Sequence, residues 1–416
     1  MGKNPCPIHQ ICVPQLITAL QSTSSYQKAW QRFRRNKPAF AGLGFIVLAA
    51  GIAVFGYLLA PDDAPDANTQ MVELALQEPG FRAELLPVFL ARDPEKAGWF
   101  SGILFGKESA VRLIPIQAGT LQLRADSVYF QRVGAKNKVE STHLVTLFSS
   151  LRDSIQKTGD TFVFTNASGQ QQRLERAALL RQFQNNTVVE QRTFWLGADK
   201  YGRCILSRLL LGFRISLLVG GIAVLISLTI GLFIGALGGY FGGRVDDAVM
   251  LLVNTVWSIP TLLLVFAIVL ALGRGIGIIF LAVGLTMWVD VARVVRGQVL
   301  ALRDLPFVEA AQSMGFSAGR IIFRHILPNL MGPVLVVAAG NFATAVLVES
   351  GLSYLGFGVQ PPAPSWGTML NENYGYALGG KPLLAIAPAL AIAAMVLAFN
   401  LVGNGLRDAL DVRSES

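Results

Sequence analysis

Histidine and cysteine, the residues best suited to metal binding, are scarce in this chain. The sequence contains three histidines and three cysteines, which are His9, His143, His325, Cys6, Cys12 and Cys204. Cys6, His9 and Cys12 lie close together, but their spacing fits no common zinc pattern. The cysteines form no disulfide framework. We therefore predict no metal site.

Phosphate-binding and catalytic motifs are missing from the sequence as well. Gly106-Lys107 and Gly380-Lys381 are followed by Glu108 and Pro382, and not by the Ser or Thr that a phosphate-binding loop requires. Neither H-E-x-x-H nor G-x-S-x-G occurs. We predict no catalytic residues and no cofactor in this chain, which makes it a non-enzyme.

The composition is that of a membrane protein. The 416 residues are 52% hydrophobic and 15% charged, with a mean hydropathy of +0.49, whereas soluble domains carry about 25% charge. The net charge of +9 does not indicate nucleic-acid binding, because the basic residues flank apolar runs. The sequence predicts an α-helical multi-pass membrane protein.

Six apolar segments are long enough, or nearly so, to span a bilayer. They are 39–60, 215–243 with its glycine-rich end, 248–273, 275–289, 326–348 and 382–406. Segment 39–60 is too long for a signal peptide, so we expect an uncleaved first span. Pro260, near Asn254 and Ser258, predicts either ordinary bending or a kink that opens onto a polar cavity. Glycines at 220, 221, 231, 235, 238 and 239 predict close helix approach.

Basic residues predict the orientation. Residues 1–38 contain six Lys and Arg and no acidic residue, which predicts a cytoplasmic N-terminal tail. With six spans, residues 411–416 form a cytoplasmic tail as well. Segment 293–324 then lies inside, and Arg274 and 349–381 lie outside.

Residues 61–193 have the composition of a soluble domain. We predict a linker with a short helix at 62–96 and strands at 110–116, 120–125 and 128–133. A hairpin is predicted at 161–174 and a helix at 174–183. These elements predict an extracytoplasmic α+β domain inserted between spans one and two, ahead of a membrane-spanning core at 194–410. His143 is interpreted as a surface or core residue.

The loop 303–329 contains a short amphipathic helix. Pro306 suits its first turn, and Phe307, Ala310, Ala311 and Met314 form one apolar stripe. Gly315 is expected to end this helix in a left-handed conformation, and Ser317 to cap a second helix that runs to about His325. The pattern fits either an ordinary connector or a helix that docks into a partner's groove.

This loop resembles the signature of ABC importer permeases. The residues that carry the likeness are Glu309, Ala310, Ala311, Gly315, Leu327 and Pro328. His325 stands where the general pattern has Ile, which is typical of the peptide branch. The resemblance implies that Phe307, Glu309, Ala310, Ala311, Met314 and Gly315 couple the chain to an ATPase subunit.

Two further segments resemble the C-type subunit of dipeptide, oligopeptide and nickel permeases. Segment 352–367 resembles that subunit's outer loop, through Leu352, Gly356, Gln360, Pro361, Pro362, Ser365, Trp366 and Gly367. Segment 196–208 resembles the stretch before span two, except that Ala198 replaces Thr and Cys204 replaces Asp. The likeness covers about 28–60 and 194–410, and leaves out most of 61–193.

The resemblance implies a permease of the bacterial cytoplasmic membrane, surrounded by lipid. It would pair with a sister permease as a heterodimer, with two ABC ATPase subunits that hold ATP and Mg²⁺, and with an extracytoplasmic substrate-binding protein. The expected cargo is di- or oligopeptides, moved by alternating access. Nickel or another small solute is the alternative cargo. A membrane sensor with an external ligand-binding domain is the alternative class, although a sensor has no use for a coupling loop.

Overall fold

The computed structural model describes residues 25–92, 98–135, 138–185 and 188–410. Cys6, His9, Cys12 and the tail 411–416 lie outside the described residues. Twelve helices are numbered here in chain order. They are α1 Ser25–Arg35, α2 Lys37–Leu59, α3 Trp99–Phe105, α4 Arg176–Asn185, α5 Ile205–Phe241, α6 Gly243–Trp257, α7 Thr261–Leu272, α8 Ile276–Arg303, α9 Pro306–Ser313, α10 Ala318–Tyr354, α11 Trp366–Leu378 and α12 Leu383–Leu410.

Five of these helices, α2, α5, α8, α10 and α12, are long and apolar enough to cross a membrane. Helices α6 and α7 meet at 86°. They provide a sixth span only if the two helices together are counted as one span. Segment 248–273, predicted as one span with a bend or a kink at Pro260, is thus broken there into two helices. Pro260 explains the break, since it lacks an N–H and disfavours the helical conformation at Ile259.

Close helix packing depends on glycines in α5. A Cβ atom on Gly231, Gly235 or Gly239 would come within 2.5–2.8 Å of α8, too close for any side chain. Spacing of four residues places all three on one face, so the two backbones approach closely. Gly221 has open space around it instead, so close packing predicted for that residue is not observed.

Helix α10 is longer at both ends than the predicted span 326–348. It begins at Ala318, contains a π-helical turn over Ile322–Ile326, and continues through Pro333 to Tyr354. The predicted second short helix ending near His325 is therefore wrong. Pro328 does not end the helix because it lies in the first turn after the π turn, where a missing N–H is tolerated.

Among the described residues between α2 and α5, nine strands form three antiparallel sheets. The strands are β1 Phe81–Phe89, β2 Val111–Ile116, β3 Gln122–Arg124, β4 Ser127–Gln131, β5 Val139–His143, β6 Gln156–Thr158, β7 Thr161–Thr165, β8 Gln171–Glu175 and β9 Glu190–Phe194. The sheet orders are β2-β1-β9, β3-β4-β5 and β6-β7-β8. The predicted hairpin is confirmed, with Thr165 opposite Gln171.

Strand β1 was missed, because 62–96 was expected to be linker and short helix. Its side chains alternate between two cores, as the period of two requires. Ala83 and Leu85 pack with Cys204 towards α5, while Leu86 packs with Phe130 inside the strand-rich segment. A strand buried on both faces shows no polar alternation, which explains why the pattern was not recognised.

Candidate functional site

The short helix α9 packs against the helix bundle through one side. Val308 and Ala311 are buried and lie in a cluster with Val299 of α8 and Ile322 of α10. They are three residues apart, so they project from the same face. These two side chains fix the helix on the bundle, and the residues on its other side are exposed among the described residues.

The predicted coupling residues divide between these two faces. Phe307 is 39% exposed and Met314 is 64% exposed, and Glu309 and Ala310 are exposed too. Ala311 was expected on the same stripe, but it is 1% exposed and anchors the helix instead. Val308, which the sequence reading left out, is the second anchor. Its position three residues before Ala311 was the available signal.

Gly315 ends α9 as predicted, in the left-handed region with φ of 76°. The N–H of Phe316 donates to the carbonyl of Ala311 at 3.2 Å, and the N–H of Gly315 donates to Gln312 at 2.9 Å. This pair of bonds is the Schellman pattern, which requires a residue without a Cβ penalty at Gly315. Residues with side chains are strained in this conformation.

Phe316 holds the turn against α10. Its ring stacks on His325 at a centroid distance of 6.0 Å. The guanidinium of Arg320 lies over the Phe316 ring, 5.1 Å from the ring centroid. The π-helical turn of α10 includes His325. Ser317 occupies the position before α10, but its side chain makes no capping hydrogen bond. The aromatic stack therefore does the positioning that was expected of Ser317.

The outer loop begins with the same helix ending. Gly356 has φ of 83°, and the N–H of Phe357 donates to the carbonyl of Leu352 at 2.9 Å. Gln360 then donates its side-chain amide to the carbonyl of Gly358 at 2.9 Å. Pro361 and Pro362 follow, exposed and joined by a cis peptide bond. The conformation of this loop is therefore determined by the helix ending at Leu352 and Gly356 and by the hydrogen bond from Gln360.

Ser365, Trp366 and Gly367 bury the far end of the loop. Ser365 caps α11 by accepting a hydrogen bond from the N–H of Thr368 at 3.2 Å. The indole N–H of Trp366 donates to the carbonyl of Leu209 at 3.0 Å, and its ring meets Phe213 edge-on at 4.8 Å. A side chain on Gly367 would overlap the backbone of α10. These three residues lock α11 onto α5 and α10.

A buried carboxylate lies beneath this loop and was missed. Glu349 has no exposed surface, and it accepts hydrogen bonds from Ser353 at 2.7 Å and from Ser350 at 3.4 Å. Ser365 also hydrogen-bonds to it. The predicted span ended at residue 348, which assigned Glu349 to the loop. An acidic residue directly after an apolar run was the signal available.

An ion-pair network ties segment 196–208 to α11. Arg203 is 2% exposed and pairs with Asp199 and Glu372, each at 2.6 Å. Arg208 lies 3.8 Å from the same Glu372. Buried charges require such partners, so this segment holds the start of α5 against α11.

Two family profiles match the chain. Residues 211–415 match the profile described as a binding-protein-dependent transport system inner membrane component. Residues 24–79 match the profile described as the N-terminal TM domain of oligopeptide transport permease C. The first match contains both glycine-ended helices described above. Most of the strand-rich segment lies between the two matched regions.

Curated relatives match over about half of the chain. The oligopeptide transport system permease protein OppC of Bacillus subtilis strain 168 is 42% identical over 217 residues, which cover 52% of this chain and 71% of that protein. The glutathione transport system permease protein GsiD of Pectobacterium atrosepticum is 42% identical over 222 residues, covering 53% and 73%.

A solved structure of the methionine ABC transporter MetNI, in an inward-facing conformation, aligns with a TM-score of 0.41 at 20% identity. It covers 49% of this chain and 96% of that one. The profile matches and the relatives' identity and coverage are the evidence for classification. The chain belongs to the family of binding-protein-dependent transport system inner membrane components, and is a permease subunit of an ABC importer.

Proposed function

We propose that this permease imports di- or oligopeptides across the bacterial cytoplasmic membrane. The observation that carries the cargo assignment is the 42% identity to permeases named for oligopeptide and glutathione transport. The exposed face of α9 supports energy coupling, because it offers Phe307, Ala310 and Met314 to a partner. We assign this face to the groove of an ABC ATPase subunit.

The proposed partners follow from the family. A sister permease forms a heterodimer with this chain, two ATPase subunits bind ATP and Mg²⁺, and an extracytoplasmic protein delivers the substrate. Closure of the ATPase subunits pushes on α9, and the Val308 and Ala311 anchors transmit that movement to α8 and α10. The outer loop 352–367 lies at the other end of α10, so one helix links both motifs.

The topology is part of the proposal. We place both termini in the cytoplasm, count α6 and α7 as one span, and place 61–193 outside. In a variant without Cys6 and Cys12, a cysteine introduced at the exposed Glu175 should react with an impermeant maleimide on intact cells. Native Cys204 does not interfere, because it is 2% exposed. Reaction only after the cells are opened would contradict this topology.

Reconstitution tests the cargo. The complete complex in proteoliposomes, with its binding protein and ATP, should accumulate radiolabelled dialanine or trialanine. ⁶³Ni²⁺ in the same assay tests the alternative cargo. Nickel accumulation without peptide uptake would show that the cargo is nickel and not a peptide. Failure of the purified chain to assemble with any ATPase subunit would instead favour the sensor alternative.

A further inference from the structure

Two charged residues lie at the middle of a membrane-spanning helix. Asp290 is 14 residues from the first residue of α8 and 13 from the last, so it lies about 20 Å from either end at 1.5 Å per residue. Asp290 is exposed in this chain and Arg293 is half-buried. Both residues follow directly on the apolar run 275–289, at the cytoplasmic end of the predicted span, where charges in a membrane protein face a protein partner or a water-filled cavity.

Within the described ranges neither Asp290 nor Arg293 forms a close ion pair, although Arg293 is near enough to attract the Asp290 carboxylate. Arg293 rests on the ring of Trp257, with its guanidinium carbon 4.2 Å from the ring centroid. That contact orients the guanidinium without using its hydrogen-bond donors. Both side chains therefore keep their capacity to bind a charged group.

The break between α6 and α7 lies beside these two residues, because Arg293 contacts Trp257, the last residue of α6. Asp290, Trp257 and Pro260 line one small cavity of about 130 Å³, together with Thr286. Ile259 is 41% exposed. Helix α7 starts at Thr261 without a side-chain cap, which leaves N–H groups of its first turn free to bind an anion. Non-helical backbone within a membrane is tolerated where it lines a cavity.

We propose that Asp290, Arg293 and the break at 258–260 form the part of the translocation path that contacts the two charged ends of a short peptide. This inference rests on the proposed peptide import. Side chains three residues apart on a helix lie about 5–6 Å apart, and a dipeptide spans about 7 Å. The peptide ammonium faces Asp290, and its carboxylate faces Arg293 and the first turn of α7.

Thiol accessibility tests the assignment to a water-filled path. In a background without native cysteines, Asp290→Cys in the assembled complex should react with a water-soluble cationic methanethiosulfonate, and the reaction should block uptake. The matched control is Leu285→Cys, which is also exposed in this chain but points about 140° away at 100° per residue. Equal or slower reaction at residue 290 would overturn the proposal.

Charge-specific uptake tests the peptide contacts. Asp290→Asn should reduce uptake of dialanine by about ten- to a hundredfold, the cost of one charge-assisted hydrogen bond, and spare N-acetyl-dialanine. Arg293→Gln should instead reduce uptake of dialanine and spare uptake of its C-terminal amide. Wild-type uptake in both variants, at equal amounts of assembled complex, would contradict the contacts. Absence of uptake by the wild-type complex would contradict the proposed function instead.

Discussion

Arg203 and Glu372 form a buried ion pair, with 2.6 Å between the guanidinium and the carboxylate, across 169 residues of sequence. Arg203 also pairs with Asp199. One side chain thus joins the start of α5 to α11, at the end of the protein where the outer loop lies. Removing it leaves the buried carboxylate of Asp199 and the partly buried carboxylate of Glu372 without their main partner.

Arg203→Ala should therefore destabilise the protein by about 3–5 kcal/mol, the cost of breaking a buried pair from one side. The apparent melting temperature of the purified protein in detergent measures this effect. Arg112→Ala provides the control, because Arg112 is exposed on β2. A melting temperature for Arg203→Ala as high as that of the control would show that the network contributes little.

Glu349 should hold the outer loop in place. Ser353 donates to Glu349 and accepts from the N–H of Val359 at 3.1 Å, so the carboxylate is connected to the loop through one hydroxyl. Glu349→Ala leaves several hydroxyls unsatisfied, at about 1–3 kcal/mol each. Limited proteolysis should then cleave 355–365 faster. Glu349→Gln keeps the size and most hydrogen bonds, and it should restore protection. Equal cleavage of all three proteins would rule out this role.

Gly212 should tolerate no side chain. A Cβ atom there would overlap the buried indole of Trp366, and overpacking of this kind costs about 1–3 kcal/mol. Gly212→Ala should lower both thermal stability and the yield of assembled complex. Gly221→Ala is the matched control in the same helix, since a Cβ there meets no atom within 4 Å. Similar losses in the two variants would contradict the packing of α11 on α5.

Asp126 should stabilise the strand-rich segment in a pH-dependent way. Hydrogen bonds from Lys157 and Arg176, at 2.5 and 2.7 Å, lower the pKa of this carboxyl. Since the folded pKa is depressed, the stabilisation is fully present above the unfolded value of about 3.9 and is lost as pH falls through the folded value. Asp126→Asn should increase hydrogen exchange in β3 and β4 at pH 7, and proteolysis by pepsin should no longer distinguish the variant near pH 2. A difference that persists at pH 2 would contradict this origin.

The sequence predicts those parts of the fold that depend on local pattern. The left-handed ending at Gly315, the hairpin around residue 165 and the glycine contacts of α5 other than that of Gly221 follow from backbone sterics and spacing, and they are observed. The features of the fold that the sequence did not predict depend on tertiary contacts. Glu349 stays helical because three serines satisfy its carboxylate, and α10 continues past Pro328 through a π turn.

The same distinction between local pattern and tertiary contacts applies to α9. Proline and glycine determine where α9 starts and ends, and both residues are visible in the sequence. Which face of α9 is buried depends on the cluster formed by α8 and α10, so Ala311 and Val308 could not be sorted from periodicity alone. An eight-residue helix contains too few turns for its apolar pattern to distinguish an anchor from a docking surface.

The central claim is that α9 transmits ATP hydrolysis to transport, and coupled ATPase activity tests it. Gly315→Val strains the left-handed turn by about 1–2 kcal/mol and should tilt α9 away from its partner, while Glu309→Lys reverses the charge of an exposed residue in its first turn. The control is Gly319→Val, whose position has ordinary φ and open space.

The decisive measurement is ATP hydrolysis by the reconstituted complex, stimulated by the loaded binding protein and normalised to assembled complex. Both Gly315→Val and Glu309→Lys should lower the stimulated rate and peptide uptake together, and Gly319→Val should keep both. Wild-type stimulation and uptake in Gly315→Val and Glu309→Lys would contradict the assignment of α9 as the coupling element.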